Sequence, residues 1–169
     1  ALRAALSSEE MAELRRVKQR IERERGDLAD TTHLDLKIHP GGIMEIEFLA
    51  QVLQITAGKT CTPNTLAALA QLAEQGDLTA PEADLLARNY RLFRRLETRL
   101  QIVLERSNGL LPLDPDGLAA AAKRLGWSLS EAERRPDQLL ADLRARLRAV
   151  REIYERRVGL AAGSGEAGP

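Results

Sequence analysis

One cysteine, two histidines and no excess of charge leave this 169-residue chain short of several common sources of function. With Cys61 alone, an intramolecular disulfide framework is excluded, and such sparing cysteine use suits a reducing cytoplasm. His33, His39 and Cys61 lack the spacing of a zinc site: there is no second cysteine and no HxxxH pair. Nothing near Cys61 in sequence would activate its thiol, so it reads as inert. Basic and acidic residues balance at 25 each, and the marked basic excess of a nucleic-acid binder is absent. No apolar run approaches the roughly 18 to 20 residues that span a bilayer, and the first residues do not form a signal peptide. The phosphate-loop, nucleophile-elbow and dinucleotide fingerprints are also missing.

What is present describes a helical protein with a sizeable core. Hydrophobic residues make up 44% and charged residues 30%, which argues against disorder. The chain opens at Ala1 with helix-compatible sequence already under way, and reads as a piece of a longer protein. A helix is expected over 8–25, with Ser7 and Glu10 at capping-box spacing and Met11, Leu14, Lys18 and Ile21 on one face. Around 34–38, Leu34, Leu36 and Ile38 alternate with polar residues, which predicts a short extended segment. Pro40-Gly41-Gly42 then turns the chain into a helix over 43–57 that is apolar nearly all round, and so belongs at the centre of a bundle. Further helices are expected over 64–75, from Thr79 (boxed with Glu82) to about Arg106, from Asp114 to about Leu125, and after Pro136. Ser107–Leu113 reads as a loop. The last helix carries a stripe of Leu139, Leu140, Leu143, Leu147, Val150, Tyr154 and Val158. The expected fold is all-α: a bundle of about six helices in one domain over 1–158, with one extended segment and a flexible tail over 159–169.

Chemistry concentrates around the glycine turn. Gly41 and Gly42 let backbone approach a partner closely, a helix N-terminus favours anions, and Lys37 and His39 lie just upstream. The segment could line a phosphate-bearing ligand or a neighbouring domain, or it could simply turn the chain. Glu45 and Glu47 sit about 200° apart on a helix, so they cannot share one site. Glu47, Gln51 and Gln54 recur at i, i+4 and i+7 and form a polar stripe on an apolar helix, which must face a hydrogen-bond network or a cleft. The arginine runs Arg88, Arg91, Arg94, Arg95, Arg99 and Arg144, Arg146, Arg148, Arg151 read as solvated faces with some ion pairs.

The run from Leu36 to Gln51, with Lys37, Gly41-Gly42-Ile43, Glu45, Ile46, Glu47-Phe48 and Gln51 in order, resembles a signature of the glutamine synthetase adenylyltransferase family. The likeness extends to Met11–Lys18, Leu92–Glu97, Leu100-Gln101, Leu111-Pro112 and Arg124–Trp127, and so covers most of the chain. His39, Pro40 and Met44 depart from the family pattern, which weakens or changes any phosphate contact at those places.

The resemblance implies a helical domain that follows a nucleotidyltransferase domain in a cytoplasmic, bifunctional enzyme. In such an enzyme one half transfers AMP from ATP to a tyrosine of glutamine synthetase and the other removes it by phosphorolysis, under control of the PII signalling protein and glutamine. Mg²⁺ and ATP would be held mainly by the preceding catalytic domain, whose Gly-Ser motif this chain lacks, so no cofactor and no catalytic residue is expected here. Lys37, Gly41, Gly42, Glu45, Glu47 and Gln51 would then line a cleft or domain junction. The tail after Val158 points to the adenylylating, C-terminal half, although Arg94–Glu97 would suit the other. Implied partners are glutamine synthetase, PII and the adjacent catalytic domain, with no nucleic acid and no membrane. Two competing readings stand: a stand-alone helical interaction module, and the uridylyltransferase that modifies PII, with which this Gly-Gly-Ile signature is not associated.

Overall fold

In the computed structural model, residues 13, 16, 32–58, 62–103, 109–124 and 136–163 are described. Their elements, in chain order, are β1 (His33–Asp35), α1 (Ile43–Thr56), α2 (Thr65–Glu74), α3 (Ala80–Val103), β2 (Leu110–Pro112), α4 (Pro115–Arg124) and α5 (Pro136–Gly163). Among the described residues the protein is all-α apart from one two-stranded sheet. The expected helix over 8–25, Cys61 and Trp127 lie outside the described residues, except that Glu13 and Arg16 are helical.

Local sequence accounts for the helix starts. The Asn64 side chain caps α2 by accepting from the Ala67 N–H at 3.0 Å. Before α3, Thr79 and Glu82 form the reciprocal box: the Glu82 carboxylate accepts from the Thr79 N–H at 2.9 Å, and the Thr79 hydroxyl accepts from the Glu82 N–H. Asp114 does the same for α4 through the Gly117 N–H at 2.7 Å. Pro115 and Pro136 stand first in α4 and α5, where a missing N–H leaves no bond unmade.

Three expectations need correcting. The extended segment ends at Asp35, because its side chain accepts from the Lys37 and Ile38 N–H groups and folds 36–40 into turns. Leu36 is still wholly buried, so the alternation marked burial and not strand. The expected loop over 107–113 contains β2, which pairs antiparallel with β1 in the register His33 to Pro112, Leu34 to Leu111 and Asp35 to Leu110. Helix α5 continues through Gly163, so the first residues of the supposed tail are helical.

The core runs through the centre of the bundle. Ile43, Ile46, Leu49, Ala50, Val52 and Leu53 of α1 are buried, and this helix packs on α2, α3 and α5, as its all-round apolarity requires. Helix α3 contributes Leu86, Phe93, Leu96 and Leu100, and α5 contributes Leu139, Leu143, Leu147, Val150 and Tyr154. Each large side chain removed from water contributes about 1.5–3 kcal/mol. Leu34 and Leu111 carry the small sheet into the same core.

Candidate functional site

Helix α1 positions every residue that the sequence singles out except Lys37, and it divides them between two environments. At its N-terminal end the glycine turn is pressed against α5. Gly41 has φ +82° and is buried, and a Cβ there would overlap the carbonyl of Leu147. A Cβ on Gly42 would meet the Leu36 carbonyl oxygen at 2.5 Å and that of His39 at 2.7 Å. Close backbone approach is therefore what the two glycines supply: Gly41 approaches this chain's own last helix, and Gly42 the turn over Leu36 and His39 that precedes α1.

The amides that open α1 are already engaged. The Ile43 N–H donates to the Leu36 carbonyl and the Met44 N–H to that of Lys37, each at 3.0 Å, and the Glu45 N–H turns back to Gly42 at 3.2 Å. The Gly41 N–H donates to Glu45 Oε2 at 2.8 Å, which places a carboxylate where an anion would have to sit. Glu45 is 2% exposed, and its other oxygen accepts from Arg151 on α5. Arg151 also bonds Glu155 at 2.6 Å and lies 5.4 Å from the Tyr154 ring centroid. Tyr154 in turn packs on Phe48. The backbone N–H groups that open α1 are spent within the chain, and the buried Glu45 carboxylate occupies the place a phosphate would take. Arg151, expected on a solvated face, is instead a partner of a buried acid. Arg146 also turns inward, to Asn89 at 3.2 Å.

Farther along, on the side of α1 that meets α2, lies a cleft of about 280 Å³. Glu47, Ala50, Gln51, Gln54, Ile55, Thr62, Pro63, Thr65 and Ala68 line it. The structure thus brings Glu47, Gln51 and Gln54 to one cavity, leaves Gly41 and Glu45 at the α5 contact, and packs Gly42 on the turn before α1. Lys37 is exposed on the turn between β1 and α1. Tyr90, on α3, donates to Glu47 Oε1 at 2.9 Å. Burial raises the Tyr90 phenol above its usual range and the Glu47 carboxylate reinforces this, over an opposing hydrogen bond with Thr65. Gln54 is 2% exposed, yet among the described residues neither Nε2 nor Oε1 has a hydrogen-bond partner.

One further feature escaped the sequence reading. Glu82 serves both as the α3 cap and as the partner of Arg157 and Arg156 on α5. Burial would raise its carboxyl, but the Arg157 hydrogen bonds and the Thr79 donors outweigh that and hold it at about 2. On α3, Arg94 pairs with the buried Glu97 at 2.9 Å, while Arg88, Arg91, Arg95 and Arg99 form an exposed row. Among the described residues no three His, Cys, Asp or Glu side chains converge as metal ligands, and no helix is long and apolar enough to cross a membrane.

A family model described as GlnD PII-uridylyltransferase matches residues 8–157, which takes in the whole glycine-turn signature. Its description names the enzyme that the signature was not expected to accompany. The curated relatives carry the other name. The chain is 30% identical over 161 residues to a bifunctional glutamine synthetase adenylyltransferase/adenylyl-removing enzyme of Brucella melitensis, covering 92% of this chain and 16% of the relative. It is 35% identical over 152 residues to the Bradyrhizobium diazoefficiens protein of the same name, covering 86% and 15%. With that of Leifsonia xyli it shares 36% over 135 residues, covering 78% and 12%. The chain therefore spans less than a fifth of the length of these relatives.

Proposed function

The chain belongs to the glutamine synthetase adenylyltransferase family, and from that premise we propose that it serves as a helical domain beside a nucleotidyltransferase domain in an enzyme that adds AMP to, and removes it from, a tyrosine of glutamine synthetase. The observation that carries this reading is the match over nearly the whole chain, with the signature from Lys37 to Gln51 inside it. The finer reading is the adenylylating half, regulated through PII, in the cytoplasm.

The geometry limits which signature residues can meet a catalytic domain. Gly41 and Glu45 are consumed in seating α1 on α5, and Gly42 in folding the turn over Leu36 and His39, so they hold the junction's shape from within. Lys37, Glu47 and Gln51 retain surface, and these are the residues that face the neighbouring domain. ATP and Mg²⁺ belong to that domain in this reading. The described residues bring together no carboxylate cluster to hold the metal. Alone, the chain positions a catalytic domain and does not perform the transfer.

The test joins this chain to the domain that precedes it in its own protein and offers the product glutamine synthetase, ATP and Mg²⁺. AMP incorporation into the synthetase is expected. Phosphorolytic removal of AMP without addition would assign the other half. A longer protein that binds ATP and Mg²⁺ yet never modifies or demodifies the synthetase, or one that modifies PII instead, would overturn the proposal.

A further inference from the structure

The cleft between α1 and α2 contains an anomaly that packing does not resolve. Gln54 lies in its wall, 2% exposed, with both the donor and the acceptor of its carboxamide unmatched. A buried amide left in this state costs stability, and an apolar side chain of similar size would fit the surrounding Ala50, Ile55 and Ala68 without that cost. Such a group is explained when a partner supplies the missing hydrogen bonds. The remaining lining says what kind of partner. Glu47 brings a carboxylate whose Oε1 is held by Tyr90 and whose Oε2 accepts no hydrogen bond among the described residues. Gln51, Thr62 and Thr65 add neutral polar groups, and among the described residues no Lys, Arg or His lines the cavity. A site with one carboxylate and no cation selects against phosphate and carboxylate ligands.

We infer that this cleft binds a basic residue presented on a peptide main chain: its cationic head pairs with Glu47, and its peptide N–H and C=O satisfy the Gln54 carboxamide. The two requirements arise independently. The cation follows from the Glu47 oxygen left without a hydrogen bond among the described residues, and the main chain follows from an adjacent donor and acceptor needing the complementary pair. A peptide unit is the commonest group to offer both. About 280 Å³ lies just below the usual range of small-ligand pockets and matches one inserted residue better than a nucleotide. Binding then includes a rotation of the Gln54 side chain, whose amide atoms are closed to solvent in this structure, toward the entering backbone. This inference rests on the cleft alone, so a failure of the adenylyl-transfer test leaves it standing.

The experiment titrates the 169-residue chain with the blocked tripeptide acetyl-Gly-Arg-Gly-amide and follows the side-chain amide signals of Gln51 and Gln54 by NMR. Acetyl-Gly-Glu-Gly-amide and ethylguanidinium serve as controls. The arginine peptide should shift both amides saturably, and the acidic peptide should not. Ethylguanidinium, which has the charge without the peptide unit, should bind at least about tenfold more weakly. Gln54→Leu and, separately, Glu47→Gln should each weaken the arginine peptide by about tenfold or more while the chain stays folded. Silent Gln54 signals, equal binding of the acidic peptide, equal binding of ethylguanidinium, or undiminished affinity in Gln54→Leu would each overturn the inference.

Discussion

Helix α1 is finished differently on its two contacts. Against α5, space is filled to the point where Gly41 has no room for a Cβ, and the buried Glu45 has both carboxylate oxygens engaged. Against α2, the same helix leaves a cavity, a carboxylate with an oxygen to spare and a buried amide with no partner. Natural folds satisfy buried polar groups, and exceptions gather where function competes with stability. The α5 contact therefore reads as architecture and the α2 contact as the place where something else is received. Substitutions on the two sides should differ in sign as well as size.

The largest effect is expected at Gly41. Alanine there combines φ +82° with an overlap on the Leu147 carbonyl, and a loss above about 4 kcal/mol should follow, enough to abolish a two-state denaturation transition. Gly58 gives the control, since it has φ +64° with open space where a Cβ would sit, and Gly58→Ala should cost only about 1–2 kcal/mol. Equal losses at the two glycines would mean that backbone conformation, not the α5 contact, makes Gly41 necessary. Next comes Glu45→Ala, which strips the acceptor from the Gly41 N–H and from Arg151 and should cost about 3 kcal/mol. A double-mutant cycle with Arg151→Ala should show coupling of about 1–3 kcal/mol in urea denaturation. Strict additivity would show that the pair is not a unit.

Glu82 tests the same contrast by pH, because it too ties a helix to α5. Its carboxyl sits at about 2 in the fold against 4.5 in its absence, so the folded state binds the proton less readily than the unfolded one. The stabilisation is complete above pH 4.5 and is lost as the pH falls toward 2. With screening by solvent on its open side, Glu82→Gln should cost about 2 kcal/mol at pH 7 and flatten the acid limb of the stability curve. An unchanged acid limb would remove Glu82 from the account.

What the sequence revealed and what it hid follow from distance along the chain. The Thr79–Glu82 box, the Asn64 cap and the Asp114 start were legible because donor and acceptor lie three residues apart. The central place of α1 was legible because an all-round apolar helix has no solvent face to offer. Glu45 and Arg151 are 106 residues apart, and only the packed bundle brings them together. Strand β2 was hidden for the same reason: three residues ending in proline have no strand signal of their own, and their state depends on finding β1. The polar stripe of Glu47, Gln51 and Gln54 was visible by spacing, but whether it would face a network or a cavity depended on how closely α2 approaches. It does both, with Glu47 bonded and Gln54 not.

On the cleft side the sign should reverse. Gln54→Leu removes two unmatched polar atoms and keeps most of the volume, so it should stabilise the chain by about 1 kcal/mol, read as a raised urea midpoint at unchanged slope. A loss instead would show that the amide is already satisfied in solution, by water, and would bring the two sides of α1 back into line.

The smallest effect sharpens the comparison most, because it separates the bond that Glu47 makes from those that Gln54 lacks. Tyr90→Phe deletes only the hydroxyl that donates to Glu47, at a half-buried position, and should cost about 0.5–1 kcal/mol near neutral pH. The sign of its pH dependence is fixed by the raised phenol: the fold holds the proton more tightly than the unfolded chain does, so the contribution is intact below about pH 10 and fades as the pH rises through the folded value. Other groups also titrate there, so the informative quantity is the difference between the two proteins. Wild type should lose stability faster than Tyr90→Phe on the alkaline side until the curves meet. Parallel curves would mean that Tyr90 does not hold Glu47. The free oxygen on which the cleft's preference for a cation depends would then have no fixed direction.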